Sequence, residues 1–243
     1  VCEEIGLEGA KNLDYSLFDS KFGYILDSTD TEGIVTKAPA ANKITVKIYG
    51  KAAHAGAAPE NGISAIFMAS RAISKLKIGR IDEETTCNLG TIKGGVATNI
   101  VPEYVEICGE ARSHDPAKLE TVTGNIINAF ESTVKEFQSG DEYPRVETVV
   151  ELDFPNTNIP EDHLAIKLAR KAASNLGYDL ESKTIGGGAD ANIFFGKGVV
   201  AGVLGTGMTD VHTLNESIKL SDMENSANLV LEILKTHADG ELG

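Results

Sequence analysis

Apolar and polar residues recur along this chain at two periods, and the switches between them mark its elements. "KITVKIYGK" (43–51) alternates residue by residue, the pattern of a strand with one buried face. "NGISAIFMASRAISKL" (61–76) instead repeats at helical spacing and puts Ile63, Ile66, Phe67, Ala69, Ala72, Ile73 and Leu76 on one face. "TTCNLGTIKGG" and "EYVEICGEARS" read as two further strands joined across "VATNIVP". "DPAKLETVTGNIINAFESTVKEF" reads as a long amphipathic helix, with Asp115 as N-cap and Pro116 at its first position. "RVETVVELDF" closes the run as a strand. The order β-α-β-β-α-β is that of a ferredoxin-like split βαβ domain.

The flanking sequence has another rhythm. "GAKNLDYSLF" has helical spacing, and "FGYILDS" is a short apolar strand that brings Asp27 to its end. A connector of small residues and proline, "TKAPAANK", follows. After the inserted region, "DHLAIKLARKAASNLG" predicts a helix ending on Gly177, and "ESKTI" a strand. "GGGADANIFFGKG" is a glycine turn into a short helix, "VVAGVLG" a buried strand and "SDMENSANLVLEILKTH" the last helix. Strands that alternate with helices predict an α/β fold with a mostly parallel sheet. The predicted organisation is an α/β domain in two parts, 1–40 and 154–243, with a ferredoxin-like α+β domain inserted over 41–153.

Composition narrows the function. Of 243 residues, 42% are hydrophobic and 24% charged, an ordinary globular balance. No stretch approaches the roughly 18 apolar residues of a membrane-spanning helix. The net charge of −14 repels phosphate backbones and argues against nucleic acid as a partner. Three cysteines, Cys2, Cys87 and Cys108, lack CxxC spacing and read as thiols in a reducing, cytoplasmic compartment.

Candidate chemistry gathers where strands are predicted to end. Glu3 and Glu4 follow an apolar pair read as a strand remnant, Asp27 ends the next strand, and His212 follows "VVAGVLG". The carboxyl ends of strands in open α/β sheets form the ligand crevice. Carboxylate and neutral imidazole are ligands suited to Zn²⁺ or Mn²⁺, and a spare carboxylate can take a proton from water. On spacing alone a glutamate pair equally suits the solvated start of a helix. In the inserted region His54 lies among small residues in "GKAAHAGAAPENG", with Asn99 in "TNIVP" and Arg112 in "GEARSHD". An arginine fork can hold a carboxylate through two hydrogen bonds, although an isolated arginine more often pairs on the surface. "GGGADAN" has neither P-loop nor GxGxxG spacing, and reads as a tight turn at the site with Asp190 capping the next helix.

Taken in order, "EEIGLEGAKNLD", "GYILDS", "GKAAHAGAAPENGISAI", "TNIVP", "EARS", "GGGADAN" and "HTLNE" resemble the co-catalytic zinc peptidases of the aminoacylase and carboxypeptidase G type, above all their tripeptidase, or peptidase T-like, branch. The resemblance implies metal-dependent hydrolysis of short peptides. It matches Glu3 to the general base, and Glu4, Asp27 and His212 to ligands of two divalent metal ions, zinc in this family. It matches His54 to the group that supports the oxyanion, and Asn99, Arg112 and Gly187 to substrate-binding positions. The inserted domain would be a lid and the contact of a homodimer. The family also has an upstream histidine ligand and a bridging aspartate, which this sequence does not contain. The expectation is therefore a C-terminal portion that binds metal weakly and is weakly active or inactive. The alternatives are an amidohydrolase of N-acyl amino acids and a non-catalytic dimerising protein.

Overall fold

The computed structural model describes residues 2–17, 19–138 and 142–240. In chain order the elements are α1 (Glu8–Lys11), β1 (Phe22–Ser28), β2 (Gly33–Ala38), β3 (Ala40–Tyr49), α2 (Ala65–Ile73), β4 (Gly79–Arg80), β5 (Thr85–Gly94), β6 (Tyr104–Ser113), α3 (Pro116–Glu136), β7 (Arg145–Phe154), β8 (Thr157–Asn158), α4 (Leu164–Asn175), β9 (Glu181–Thr184), α5 (Asp190–Gly196), β10 (Val200–Gly205) and α6 (Leu220–Ala238). They form two compact units, one of residues 1–39 and 154–243 and one of residues 40–153.

The discontinuous unit has a sheet in the order β1-β10-β2-β8, with β9 also on β2. The α/β class holds, with the sheet mixed: β1–β10 and β2–β9 run parallel, β10–β2 and β2–β8 antiparallel. Its central strands are buried on both faces. Ile34 and Leu204 pack with Ile166, Ala169, Leu229 and Ile233 of α4 and α6, while Val35, Ala201 and Val203 pack with Ala189 and Ala191 around α5. Helix α4 ends as the sequence predicts, with Gly177 at φ +90° and the Tyr178 N–H donating to the Ala173 carbonyl.

The inserted unit carries a sheet in the order β4-β5-β6-β3-β7, in which β4–β5, β5–β6 and β6–β3 are antiparallel. Ile44, Val46 and Ile48 of β3 and Val105 and Ile107 of β6 face α2 and α3, where Met68, Ile126 and Phe130 complete the core. Asp115 caps α3 by accepting from the Ala117 N–H at 2.8 Å. On α2 the buried face is Ala65, Met68, Ala69 and Ala72, whereas Ile66 and Phe67, placed inside by the periodicity, are exposed.

Three expectations are corrected. "TKAPAANK" does hold the crossing from one unit to the other, but it is strand and not loop: β2 and β3 run through it, and only Pro39 between them stands outside the strands. Pairing of Ala38 with Thr157 and of Ala40 and Ala41 with Ser113 and Arg112 overrides the weak strand propensity of alanine. "GAKNLDYSLF" is not one helix. Asn12 Nδ2 bonds back to the Glu8 carbonyl and Asp14 Oδ1 accepts from the Ser16 N–H, so α1 stops and a 3₁₀ turn, Tyr15–Leu17, follows; Phe18 lies outside the described residues. Finally, no strand precedes Glu3 among the described residues, Val1 being outside them. Cys2 has φ +57°, and the Glu3 carbonyl accepts from Gly6 and Leu7, which makes "EEIG" a turn into α1.

Candidate functional site

In the discontinuous unit, the parallel pair β1–β10 sets the geometry. Leu26 pairs with Leu204 and Ser28 with Gly205, so Asp27 is an extra residue that the ladder skips. This β-bulge near the C-terminal end of β1 turns Asp27 away from the regular alternation of the strand. The segment after β10 is a loop closed by pairing of Thr209 with Ser217, and His212 stands in it at φ +64°. Its backbone N–H donates to Glu216 Oε2 at 3.0 Å, which fixes the left-handed residue. His212 Nε2 lies 3.1 Å from Glu4 Oε2. One contact thus joins the first stretch of chain to the loop after β10, and Asp27 stands near the C-terminal end of the parallel strand β1, the kind of edge where α/β sheets hold ligands.

The charges there are coupled. Burial, then Asp27, Glu4 and Asp190, push the Glu3 carboxyl above its ordinary value, against the opposing pull of His212. Asp27 is raised likewise by burial, then by Glu4 and Asp190, again against His212. Burial also raises Asp190. Asp190 is not the helix cap. Ala189 is the N-cap of α5, the Ala189 N–H donates to Asn192 Oδ1, and Asp190 Oδ1 is buried with no hydrogen-bond partner. The sequence reading missed it because N-cap and first helical residue differ by one position, decided by the extended backbone of Ala189.

In kind, this donor set fits a divalent cation: carboxylates and an imidazole, mutual repulsion between the acids, and one orphaned buried carboxylate oxygen. It is not closed. Among the described residues no three His, Cys, Asp or Glu side chains stand as a group that could hold a metal ion, and Glu4 and His212 pair with each other instead.

In the inserted unit, His54 Nδ1 accepts from the backbone N–H groups of Gly56 and Ala57 at 3.2 and 3.1 Å. A neutral ring held this way carries its hydrogen on Nε2 and can donate outward. Asn99 is brought next to it, its carbonyl accepting from the Ala55 N–H at 2.9 Å while Ile100 pairs with His54. Arg112 is not part of that group. It sits at the other end of β6, beside Ala41 and eight residues beyond Tyr104, about 26 Å along the strand at ordinary rise. Its Nη2 contacts Glu110 at 3.0 Å. Back in the discontinuous unit, open space surrounds Gly187, whereas a side chain on Gly188 would strike the Phe154 ring. Packing thus requires a glycine at 188 and makes no such demand at 187.

Comparison with known proteins bears on both units. Residues 40–138 match the peptidase dimerisation domain family. Over 98% of its length the chain is 41% identical to the uncharacterized protein YqjE of Bacillus subtilis, of which it covers 63%. Among solved structures it resembles aminopeptidase PepT from Bacillus cereus, at 39% identity and TM-score 0.88 over 98% of this chain and 63% of that one. It also resembles a tripeptidase from Staphylococcus aureus, at 40% identity and TM-score 0.89 over 97% and 62%. The chain therefore spans a little under two thirds of the length of these relatives.

Proposed function

We propose, for a chain that resembles solved peptidases over nearly its whole length, that the protein is a metal-dependent hydrolase of short peptides, a tripeptidase-like aminopeptidase. The observation that carries this reading is the contact of Glu4 with His212 in the loop after β10, together with Glu3 and Asp27, carboxyls raised first by burial and then by neighbouring acids. Glu4, Asp27 and His212 would hold the cation, with zinc as the metal the resemblance names. When bound, such an ion polarises a carbonyl and makes water a nucleophile near neutral pH. Glu3 is the proton acceptor. A carboxyl held above its ordinary value keeps a captured proton better than an exposed glutamate and returns it to the leaving amine. His54, Asn99, Arg112 and Gly187 keep the substrate roles given by the sequence resemblance. For His54, an Nε2 free to donate suits support of an oxyanion.

The match of residues 40–138 to a peptidase dimerisation domain supports a homodimer formed through the inserted unit. Free cysteines at 2, 87 and 108 support the cytoplasm as its compartment, and among the described residues no helix is long and apolar enough to cross a membrane. The test is release of the N-terminal residue from tripeptides by the complete gene product with added Zn²⁺ or Mn²⁺. Glu3→Gln should remove turnover by about a thousandfold or more and leave cation binding intact. Preference for acetylated amino acids over tripeptides would replace peptidase by deacylase, and activity retained in Glu3→Gln would take the base role from Glu3.

A further inference from the structure

We propose that Glu216 is a positioning residue: through the backbone N–H of His212 it holds the His212 imidazole against Glu4. This rests on the reading above, in which Glu4 and His212 work together, and adds a residue to which that reading gives no task.

Backbone strain in this chain is concentrated on the two sides of one side-chain contact. Among the described residues, four that are not glycine have φ in the left-handed region: Cys2 at +57°, Leu7 at +59°, Asp210 at +52° and His212 at +64°. Side chains are disfavoured there because Cβ crowds the following carbonyl oxygen, so such residues persist only where their surroundings hold them. All four lie in two short segments, 2–7 and 210–212, and the contact of His212 Nε2 with Glu4 Oε2 at 3.1 Å joins those same segments.

The two segments are held by different means. On the Glu4 side backbone suffices: the Glu3 carbonyl accepts from Gly6 and Leu7, and the Cys2 carbonyl from Glu8. On the His212 side backbone closes only the frame, where Thr209 and Ser217 exchange N–H bonds at 2.9 and 3.1 Å. Inside it, Thr213 Oγ1 donates to the Asp210 carbonyl at 2.7 Å and accepts from the Asn215 N–H at 3.1 Å. The His212 N–H itself goes to Glu216 Oε2 at 3.0 Å. A charged acceptor makes this the stronger kind of hydrogen bond.

That bond decides where the ring points. His212 and Glu4 expose 70% and 69% of their side chains, so packing does little to aim either of them. The direction in which the imidazole leaves the chain is then set by the backbone of His212. Relaxing that residue to the ordinary right-handed or extended region would redirect its Cα–Cβ bond and carry the ring away from Glu4.

The test reads the ring. This chain is labelled with nitrogen-isotope histidine, and proton–nitrogen correlation spectra follow the ring signals of His212, identified by their loss in His212→Gln. Glu4→Gln should shift those signals while Glu216 is present. In the Glu216→Ala background the same shift should fall to about half or less, with an unchanged circular dichroism spectrum. In Glu216→Gln, whose amide oxygen can still accept from the His212 N–H, it should keep nearly its full size. A residue that only stabilised the fold would lower the melting temperature in Glu216→Ala and leave the response to Glu4→Gln as it was. An undiminished response in Glu216→Ala therefore overturns the positioning role and leaves the contact standing. No response to Glu4→Gln with Glu216 in place overturns the contact, and with it both the site reading and this assignment. Should Glu216→Ala fail to fold, Glu216→Asp, whose carboxylate falls one methylene short of the N–H, is read in its place.

Discussion

Asn192 Nδ2 donates to the Pro155 carbonyl at 2.7 Å, and the same nitrogen donates to the Pro39 carbonyl at 3.1 Å. The residues between those two prolines make up the inserted unit, apart from Phe154. One asparagine therefore ties together the points where the chain leaves the discontinuous unit and returns to it. With the Ala189 N–H on Oδ1, the buried amide has three partners. Replacing it with alanine strands two carbonyls and an N–H away from water, so Asn192→Ala should destabilise the protein by about 2–4 kcal/mol. Asn192→Asp should be worse, because a carboxylate would face two carbonyl oxygens. Urea unfolding measures both, and a loss below about 1 kcal/mol for alanine would mean that water replaces the amide.

Much of this fold is legible in the sequence because its cues are local. The strand "FGYILDS" is found at Phe22–Ser28, and Asp115-Pro116 starts α3 where capping chemistry says it should. What is not legible depends on partners distant in sequence. "GIVTKA" becomes β2 through its pairing with β8, β9 and β10, and nothing local in "TKAPAANK" reveals it. Glu4 and His212 are nominated by residue type and resemblance, but no spacing rule makes them neighbours at 3.1 Å. The bulge at Asp27 needs the register against β10, and the place of Asp190 one residue past the N-cap needs the backbone of Ala189. The fold is written in periodicity, whereas the site is written in register.

Asp27 should limit stability. For an acid raised on folding, the folded state takes up a proton more readily than the unfolded chain. Its penalty is therefore complete above the folded pKa and absent below the unfolded value near 4. At pH 7 without metal, Asp27→Asn should unfold at a temperature about 2 °C higher than the wild type, and the gap should close as pH falls below about 4. Scanning calorimetry across that range decides it. A lower melting temperature for Asp27→Asn at pH 7 would show that the charge has a partner it needs.

Gly205 permits the bulge. A Cβ there would fall on the backbone carbonyl of Asp30, and backbone does not step aside as a flexible side chain can. The surroundings are fixed further by Thr206 and Gly207, whose N–H groups donate to the carbonyls of Ser28 and Asp30 at 2.8 and 3.1 Å. Gly205→Ala should cost about 2–3 kcal/mol. Gly23, which has open space around it on the neighbouring strand, should accept alanine with less than about 0.5 kcal/mol of change. Equal effects at the two positions would remove the steric explanation.

Acid sensitivity should also appear in the inserted unit. Asp82 is lowered to about 2, first because its Oδ1 accepts the Glu84 N–H, at 3.0 Å, and then through Thr85 and Lys118. Lys118 lies 3.1 Å from Asp82 Oδ2 and 2.6 Å from Glu84 Oε1, which raises its own proton affinity. For an acid lowered on folding the sign is opposite to that at Asp27. The stabilisation is complete above the unfolded value near 4 and disappears as pH falls to about 2. Asp82→Asn should therefore lower the urea midpoint at pH 7, and that difference should shrink steadily between pH 4 and pH 2. Because the leading contribution is a hydrogen bond to backbone, 0.5 M salt should reduce the difference without removing it. A difference that stays constant down to pH 2 would locate the effect of the substitution in packing, not in the charge of Asp82.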